Sequence, residues 1–387
     1  MGSTPFRYQS PEEDSARWLG FPFRDGDIVI STRSKTGTTW VQMICALLIF
    51  GEPQLPAPLG RLSPWLDHLV TPREKVFALL AAQQHRRFIK THTPLDGLPL
   101  DPRVSYLVAA RHPLDMAVSL YHHHANIDKE SLRRQIGGPE PPARPPQPEP
   151  LHEWLLWWIG SDTGPAGDLD SLPFLMWHFA GAWARRLEPN ILLVHYANLC
   201  ADLDGQMRWL AGRLGINIPV DDWPALVRAA TFENMSRNAD QLVPAPGLFK
   251  SNAAFFRRGR SGAGHEILSS AEIARYHARV SGMAPPTCSP GCTPPTLERR
   301  PQCRNRDWPG RHRGFPRLSP ATGRGLSPAQ ILGHHGGRRD DPTSRIVAGT
   351  FALPRRGASA LAVCCRLAGT GEHRRPQALK DGAGTAR

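Results

Sequence analysis

The sequence predicts an α/β fold, a central, mostly parallel sheet flanked by helices. Three observations predict it. Apolar residues make up 40% of the 387-residue chain, enough for a sizeable core. Short apolar runs alternate with stretches of helical pattern through the first 283 residues. Proline and glycine stand where helices of that pattern would start and stop.

Taken in order, "DIVIS" (27–31) is a buried strand feeding a helix at "TTWVQMICALLIF" (38–50). "RFIKT" (87–91) is a second strand, closed by a turn at "PLDGLP". "SYLVAA" (105–110) is a third, leading through "RHP" to a helix at "LDMAVSLYHHH", with Pro113 at its first turn. "NILLVHYANL" (190–199) is the fourth, leading to "DGQMRWLAGRLG" (204–215), which Gly215 can cap. "GGPEPPARPPQPEP" (137–150) is too rich in proline for helix or strand and reads as an exposed loop. The segment "LSSAEIARYHARVSGM" reads as a closing helix, with Ile273, Tyr276 and Val280 at helical spacing.

The formal charge of +13 is confined to one end. Residues 284–387 carry 17 Arg and 1 Lys against 6 acidic residues, a net of +12, which leaves +1 for residues 1–283. The Arg/Pro/Gly-rich tail also holds five of the seven cysteines and has no hydrophobic period, so it is expected to be disordered. The abruptness of the change points to a shift of reading frame near Pro286. The alternative is a basic arm that binds nucleic acid or acidic lipid. The expected domain is therefore 1–283, with 284–387 as tail. The nearly neutral body argues against a nucleic-acid partner there. No apolar run approaches the ~20 residues of a membrane span, and the first residues lack the charged start and apolar core of a secretory leader. Cys45 and Cys200, isolated in the body, fit a reducing compartment, so a cytoplasmic, soluble protein is expected. A homo-oligomer is left open.

The chemistry concentrates at "SKTGTTW" (34–40). A small-residue turn between a buried strand and a helix presents free N–H groups and the positive end of a helix dipole to an anion. Lys35 adds a charge, Gly37 backbone freedom, and Thr36, Thr38 and Thr39 hydroxyls, with Trp40 beside them as a flat apolar surface. The nucleotide-hydrolase phosphate loop is excluded, since its lysine follows its second glycine whereas Lys35 precedes Gly37. On "RFIKTHTP", Lys90 and His92 share one face of a strand end. A lone histidine there also reads as bonded to backbone, but imidazole is the side chain suited to take a proton near neutral pH. "RHPLDMAVS" sets Arg111 eight residues before Ser119, and arginine can grip a phosphate through two parallel hydrogen bonds.

These stretches together resemble the cytosolic-type sulfotransferase family, in a bacterial-like form, over roughly residues 20 to 283. "SKTGTTW" is similar to the family's Pro-Lys-Ser-Gly-Thr-Thr-Trp loop, with Ser34 in place of proline and Thr36 in place of serine. "KTHTP" is similar to Lys-[Ser/Thr]-His-Leu-Pro, and Arg111, Pro113, Asp115 and Ser119 fit the 3′-phosphate signature R-x-P-x-D-x-x-x-S. "FFRRG" (255–259) resembles Phe-[Met/Phe]-Arg-Lys-Gly, although "SGAGHE" replaces the usual continuation Gly-Asp-Trp-Lys.

The resemblance implies a P-loop-like fold and a transferase that moves a sulfuryl group from 3′-phosphoadenosine 5′-phosphosulfate (PAPS) to a hydroxyl or amine of a small acceptor, a phenol, alcohol or amine, without a metal. It implies His92 as general base, with Lys35 and Lys90 stabilising the sulfuryl and leaving oxygens. The co-substrate would meet Lys35, Thr36, Gly37, Thr38, Thr39, Trp40, Arg111, Ser119, Tyr196, Thr231, Phe232, Phe255, Phe256, Arg257, Arg258 and Gly259. Weaker readings are a phosphate-loop kinase and, for the tail alone, a basic nucleic-acid-binding protein. His122, His123 and His124 splay around a helix and cannot share a metal. Cys288, Cys292 and Cys303 match no common zinc spacing. Trp154, Trp157 and Trp158 read first as core and second as an acceptor wall, and Trp65 as an acceptor contact.

Overall fold

A computed structural model describes residues 4–136, 150–164, 167–244 and 247–283. The tail, with its cysteines and proposed frame shift, and the proline-rich loop before Pro150 lie outside the described residues.

Among the described residues four strands form one parallel sheet, β1 (Ile28–Thr32), β2 (Phe88–Thr91), β3 (Ser105–Ala110) and β4 (Ile191–His195), in the order β2-β1-β3-β4. Its helices of five residues or more are α1 (Thr38–Phe50), α2 (Arg73–Ala82), α3 (Pro113–Asn126), α4 (Lys129–Ile136), α5 (Leu151–Gly160), α6 (Leu172–Ala184), α7 (Tyr196–Ala201), α8 (Leu203–Leu214), α9 (Trp223–Ala229), α10 (Phe232–Arg237), α11 (Ala263–Ile267) and α12 (Ser270–Met283). This is the predicted α/β architecture.

The strands read as unbroken apolar runs because both faces of the sheet are covered. Ile28 and Ile30 of β1, with Leu107, Ala109, Leu192 and Val194, pack under α1, α8 and α9. Val29, one residue out of phase, joins Ile89, Tyr106, Val108 and Ile191 against Trp18, Phe21 and the α2 residues Val76 and Leu80. A third cluster joins α3, α5, α6 and α12, and it takes in Trp154, Trp158, Tyr276 and Val280. The helix ends follow the expected residues, with Pro113 in the first turn of α3 and Gly215 left-handed (φ 65°) at the end of α8.

Two departures have local causes. The run 190–199 is extended only to His195, whose ring accepts the Ala197 N–H at 3.2 Å and caps α7. Helix α6 is apolar on nearly every side, "LPFLMWHFAGAWA", so it shows no amphipathic period; Ser171 starts it by accepting the Phe174 N–H.

The strand order positions the site. The chain passes from β1 outward to β2, then crosses back to β3 on the other side of β1. In such sheets the crevice at the carboxyl ends, where the order reverses, is where ligands bind. Register places Ile30 beside Lys90, Thr32 beside Ala109, and Ala110 beside His195. The segments holding Lys35, His92, Arg111 and Tyr196 therefore leave the same edge of the sheet.

Candidate active site

One cavity at that edge is lined by Ser34, Lys35 and Gly37 of the β1–α1 turn, by Thr38, Thr39 and Trp40 at the start of α1, by Lys90 of β2 and by His92 just beyond it. Arg111, Ser119, Tyr196, Phe232 and the run Phe255–Gly259 also border it. Two of the expected cofactor residues, Thr36 and Thr231, do not line it. Thr36 is fully buried, and its hydroxyl and N–H both donate to the Arg33 carbonyl, at 2.7 and 3.2 Å. Thr231 caps α10, accepting the Asn234 N–H at 3.3 Å and donating to the Arg228 carbonyl at 2.9 Å. Each hydroxyl serves the backbone of its own turn.

The turn has a backbone geometry that can hold an anion. Lys35 (φ 63°) and Gly37 (φ 111°) are both left-handed, flanking Thr36, an alternation that makes a concave row of N–H groups. No side chain caps α1, so the N–H groups of its first turn are left for a ligand. The Thr38 hydroxyl bonds Thr32 Oγ1 at 2.6 Å, tying the helix start to the strand end. A Cβ at Gly37 would stand 3.2 Å from the Tyr196 ring.

Three cations rest on aromatic faces in this cavity. Lys35 Nζ lies 3.8 Å from the Phe255 ring centre, Lys90 Nζ 3.6 Å from Trp65, and Arg111 Cζ 4.2 Å from Tyr196. The rings hold each cation without neutralising it. Burial, then Arg111, Lys90 and Arg257, push the Lys35 pKa down to about 7. Burial dominates Lys90 as well, also bringing it to about 7, with Arg33 adding to the shift and Glu13 and Asp67 opposing it. Burial and the neighbouring Arg258 and Arg111 lower Arg257. The Arg111 Nε is buried without a partner. The part of the cavity that holds Lys35, Arg111 and Arg257 therefore carries cations that repel one another.

His92 is buried with its Nδ1 2.5 Å from the Thr32 carbonyl. A carbonyl only accepts, so Nδ1 carries the hydrogen and Nε2 holds the lone pair. Burial, then Lys90 and Arg33, hold the His92 pKa well below its usual value against the opposing Thr32 bond, which keeps the ring neutral. Trp65 stands edge-on to His92 at 4.5 Å and stacks on His68 at 4.0 Å.

The segment 255–264 closes the other end. Asp115 accepts the N–H groups of Gly262 (2.9 Å) and Gly264 (3.1 Å), which docks α11 on α3. That is what the aspartate of the Arg111–Ser119 spacing does here. Gly259 is left-handed (φ 64°), and a Cβ there would come within 2.4 Å of the Phe232 ring. Arg258 lines the cavity but pairs with Glu266 at 2.7 Å. Trp154, Trp157 and Trp158 stay out of the cavity lining, whereas Trp65 borders it.

Sequence reasoning missed Arg33, Glu13 and Asp170. Arg33 donates to the His92 carbonyl at 2.6 Å, to Glu13 at 3.3 Å and to Asp170 at 2.9 Å. Its position two residues before Lys35 was a signal, but its partners are distant in sequence. Burial pushes the Glu13 pKa up to about 8, against the pull of Arg33. Among the described residues no group of three or more His, Cys, Asp or Glu is placed to hold a metal ion, and no helix is long and apolar enough to cross a membrane.

Comparison with known proteins identifies the family. The profile of the family described as "Sulfotransferase domain" matches residues 25–281. The chain is 41% identical to the glycolipid sulfotransferase of Mycobacterium bovis over 298 residues, covering 72% of this chain and 91% of that protein. It is 27% identical to human sulfotransferase 2B1 over 248 residues, covering 62% and 60%. A mouse sulfotransferase solved with PAP shares the fold at a TM-score of 0.51 and 18% identity, over 69% of this chain and 87% of that one. The chain belongs to the sulfotransferase family.

Proposed function

We propose that this sulfotransferase binds PAPS with the 5′-phosphosulfate in the Lys35 turn and the 3′-phosphate between Arg111, Ser119 and Arg257, and that His92 is its general base. The observation that carries this reading is the gathering of Lys35, Lys90, Arg111 and Arg257 in one cavity with a neutral imidazole. A ligand anionic at both ends relieves the mutual repulsion of those cations and supplies the partner that Arg111 Nε lacks.

PAPS supplies the activated sulfuryl group. His92 Nε2 takes the proton of the acceptor hydroxyl as its oxygen forms the new bond to sulfur. Lys35 and Lys90 stabilise charge on the sulfuryl oxygens and on the 5′-phosphate oxygen that departs with the electrons of the broken S–O bond. The protein is left holding adenosine 3′,5′-bisphosphate.

The acceptor is a hydroxyl on a sugar-bearing lipid. The relative named a glycolipid sulfotransferase supports this. So does the lining, where Ser10, Glu12, Glu13, Asp168 and Asp170 offer hydrogen-bonding groups, and Ile127, Leu132, Leu248 and Phe249 offer an apolar wall. Incubation with PAPS and a panel of glycolipids, simple phenols and amines tests it. Sulfated glycolipid as the main product is expected; turnover of phenols or amines alone would contradict the acceptor assignment.

The lysines also set a pH dependence. Both are cationic below a pKa of about 7 and lose charge above it. An anion raises those pKa values, so binding at pH 8 takes up protons. Affinity for the bisphosphate is expected to fall as pH rises from 6 to 8.5. Calorimetry in two buffers of different ionisation enthalpy measures the uptake, and a pH-independent affinity without proton uptake would show that these lysines do not meet the anion.

A further inference from the structure

We propose that Arg33 is a positioning residue, which clamps the His92 segment to the anion-binding turn and holds both against the two acidic segments that border the cavity. The inference rests on the reading of His92 as base. Two bonds run between the strand ends in opposite directions. The His92 ring bonds the Thr32 carbonyl, and the Arg33 guanidinium donates back to the His92 carbonyl at 2.6 Å. Adjacent residues at the end of β1 therefore fix both the ring and the peptide of His92. Through its own carbonyl, Arg33 also holds the Thr36 N–H and hydroxyl, which sets the course of the turn carrying Lys35.

The guanidinium is almost wholly buried, with 1% of the side chain exposed, and its Nη1 and Nη2 reach Glu13 and Asp170 while its Cζ lies 5.2 Å from the Phe174 ring centre. One side chain thus joins four parts of the chain: residues 10–13, the end of β2, residues 168–170 and the start of α6. Lysine could supply the charge but not the forked set of bonds. Apart from Arg33, the charged and titratable groups acting on His92 are Lys90 and His68, and Glu13, Asp67 and Asp170 lie around those cations.

The test compares Arg33→Met, Arg33→Lys and the triple variant Glu13→Gln, Arg33→Met, Asp170→Asn with wild type and His92→Ala. The readouts are turnover, its pH profile and the Kd for adenosine 3′,5′-bisphosphate. Removing Arg33 should lower kcat by about 100-fold, the scale of a misplaced reacting group, with bisphosphate affinity changed only a few-fold. Arg33→Met withdraws a cation from His92, so the acid limb of the profile should move to higher pH, whereas Arg33→Lys should leave the limb in place and lower kcat alone. The triple variant removes the guanidinium together with both acidic partners, which favours folding should Arg33→Met not fold, and it should remain slow. Wild-type turnover in any folded variant lacking Arg33, or a turnover loss matched by an equal loss of bisphosphate affinity, overturns the proposal. Should His92→Ala itself turn over like wild type, the base assignment falls instead, so the two failures are distinguishable.

Discussion

Replacing His92 with alanine is expected to lower turnover by about 10²–10⁴-fold, the range that a positioned general base contributes, while leaving bisphosphate affinity within a few-fold of wild type. The ring sits with Nδ1 committed to the Thr32 carbonyl, so only Nε2 can take a proton. His68 lines the same cavity, but it is stacked flat on Trp65 and its pKa is pushed down to about 3 by burial, then Lys90 and Arg17. Because the His92 pKa is also held well below 6.5, turnover should persist as the pH falls through 6.5 instead of dropping there. Rates of sulfate transfer, measured across pH with saturating acceptor, check both points. A His92→Ala enzyme working at near wild-type rate would remove the imidazole from the mechanism.

Lys35→Met is expected to weaken both binding and turnover, with kcat reduced by about 10²–10³-fold, as for loss of one group that stabilises transition-state charge. Methionine keeps an unbranched stem against Phe255, so the change is chiefly one of charge. The turn itself should survive, since its course is fixed by Thr36 on the Arg33 carbonyl and by Thr38 on Thr32. Lys35 is the cation on the turn itself, whereas Lys90 reaches the cavity from the neighbouring strand. Loss of bisphosphate affinity without loss of kcat would mean that Lys35 grips the nucleotide without acting on the sulfuryl oxygens.

What the sequence made legible was local. The turn 34–40 is read from seven consecutive residues because strand, turn and helix start are contiguous, and the observed helix begins at Thr38 as expected. Lys90 and His92 were legible for a similar reason, since a strand's period of two fixes their common face. The alternation of buried strands and helices gave the sheet, and the reversal in strand order then gathered the turns at one edge. What was not legible is non-local. Arg33, Glu13 and Asp170 converge across 20 and 137 residues of chain, and none has a motif around it. Thr36 and Thr231 carry the residue type of an anion ligand, yet the nearest acceptors are carbonyls of their own turns, a competition that residue type alone does not show. Asp115 fits a spacing associated with phosphate binding, and the structure shows it holding the N–H groups of Gly262 and Gly264, so that the Arg257 segment is docked by a carboxylate 147 and 149 residues away.

The central claim is that one doubly phosphorylated nucleotide is held at both ends of one cavity. It is tested most directly by calorimetric titration of wild type and Arg111→Gln with adenosine 3′,5′-bisphosphate and with adenosine 5′-phosphate, without metal. Wild type should prefer the bisphosphate strongly, and Arg111→Gln should lose most of that preference while binding adenosine 5′-phosphate about as well as wild type does. A variant that keeps the full preference for the 3′-phosphate, or weakens equally toward both ligands, would contradict it.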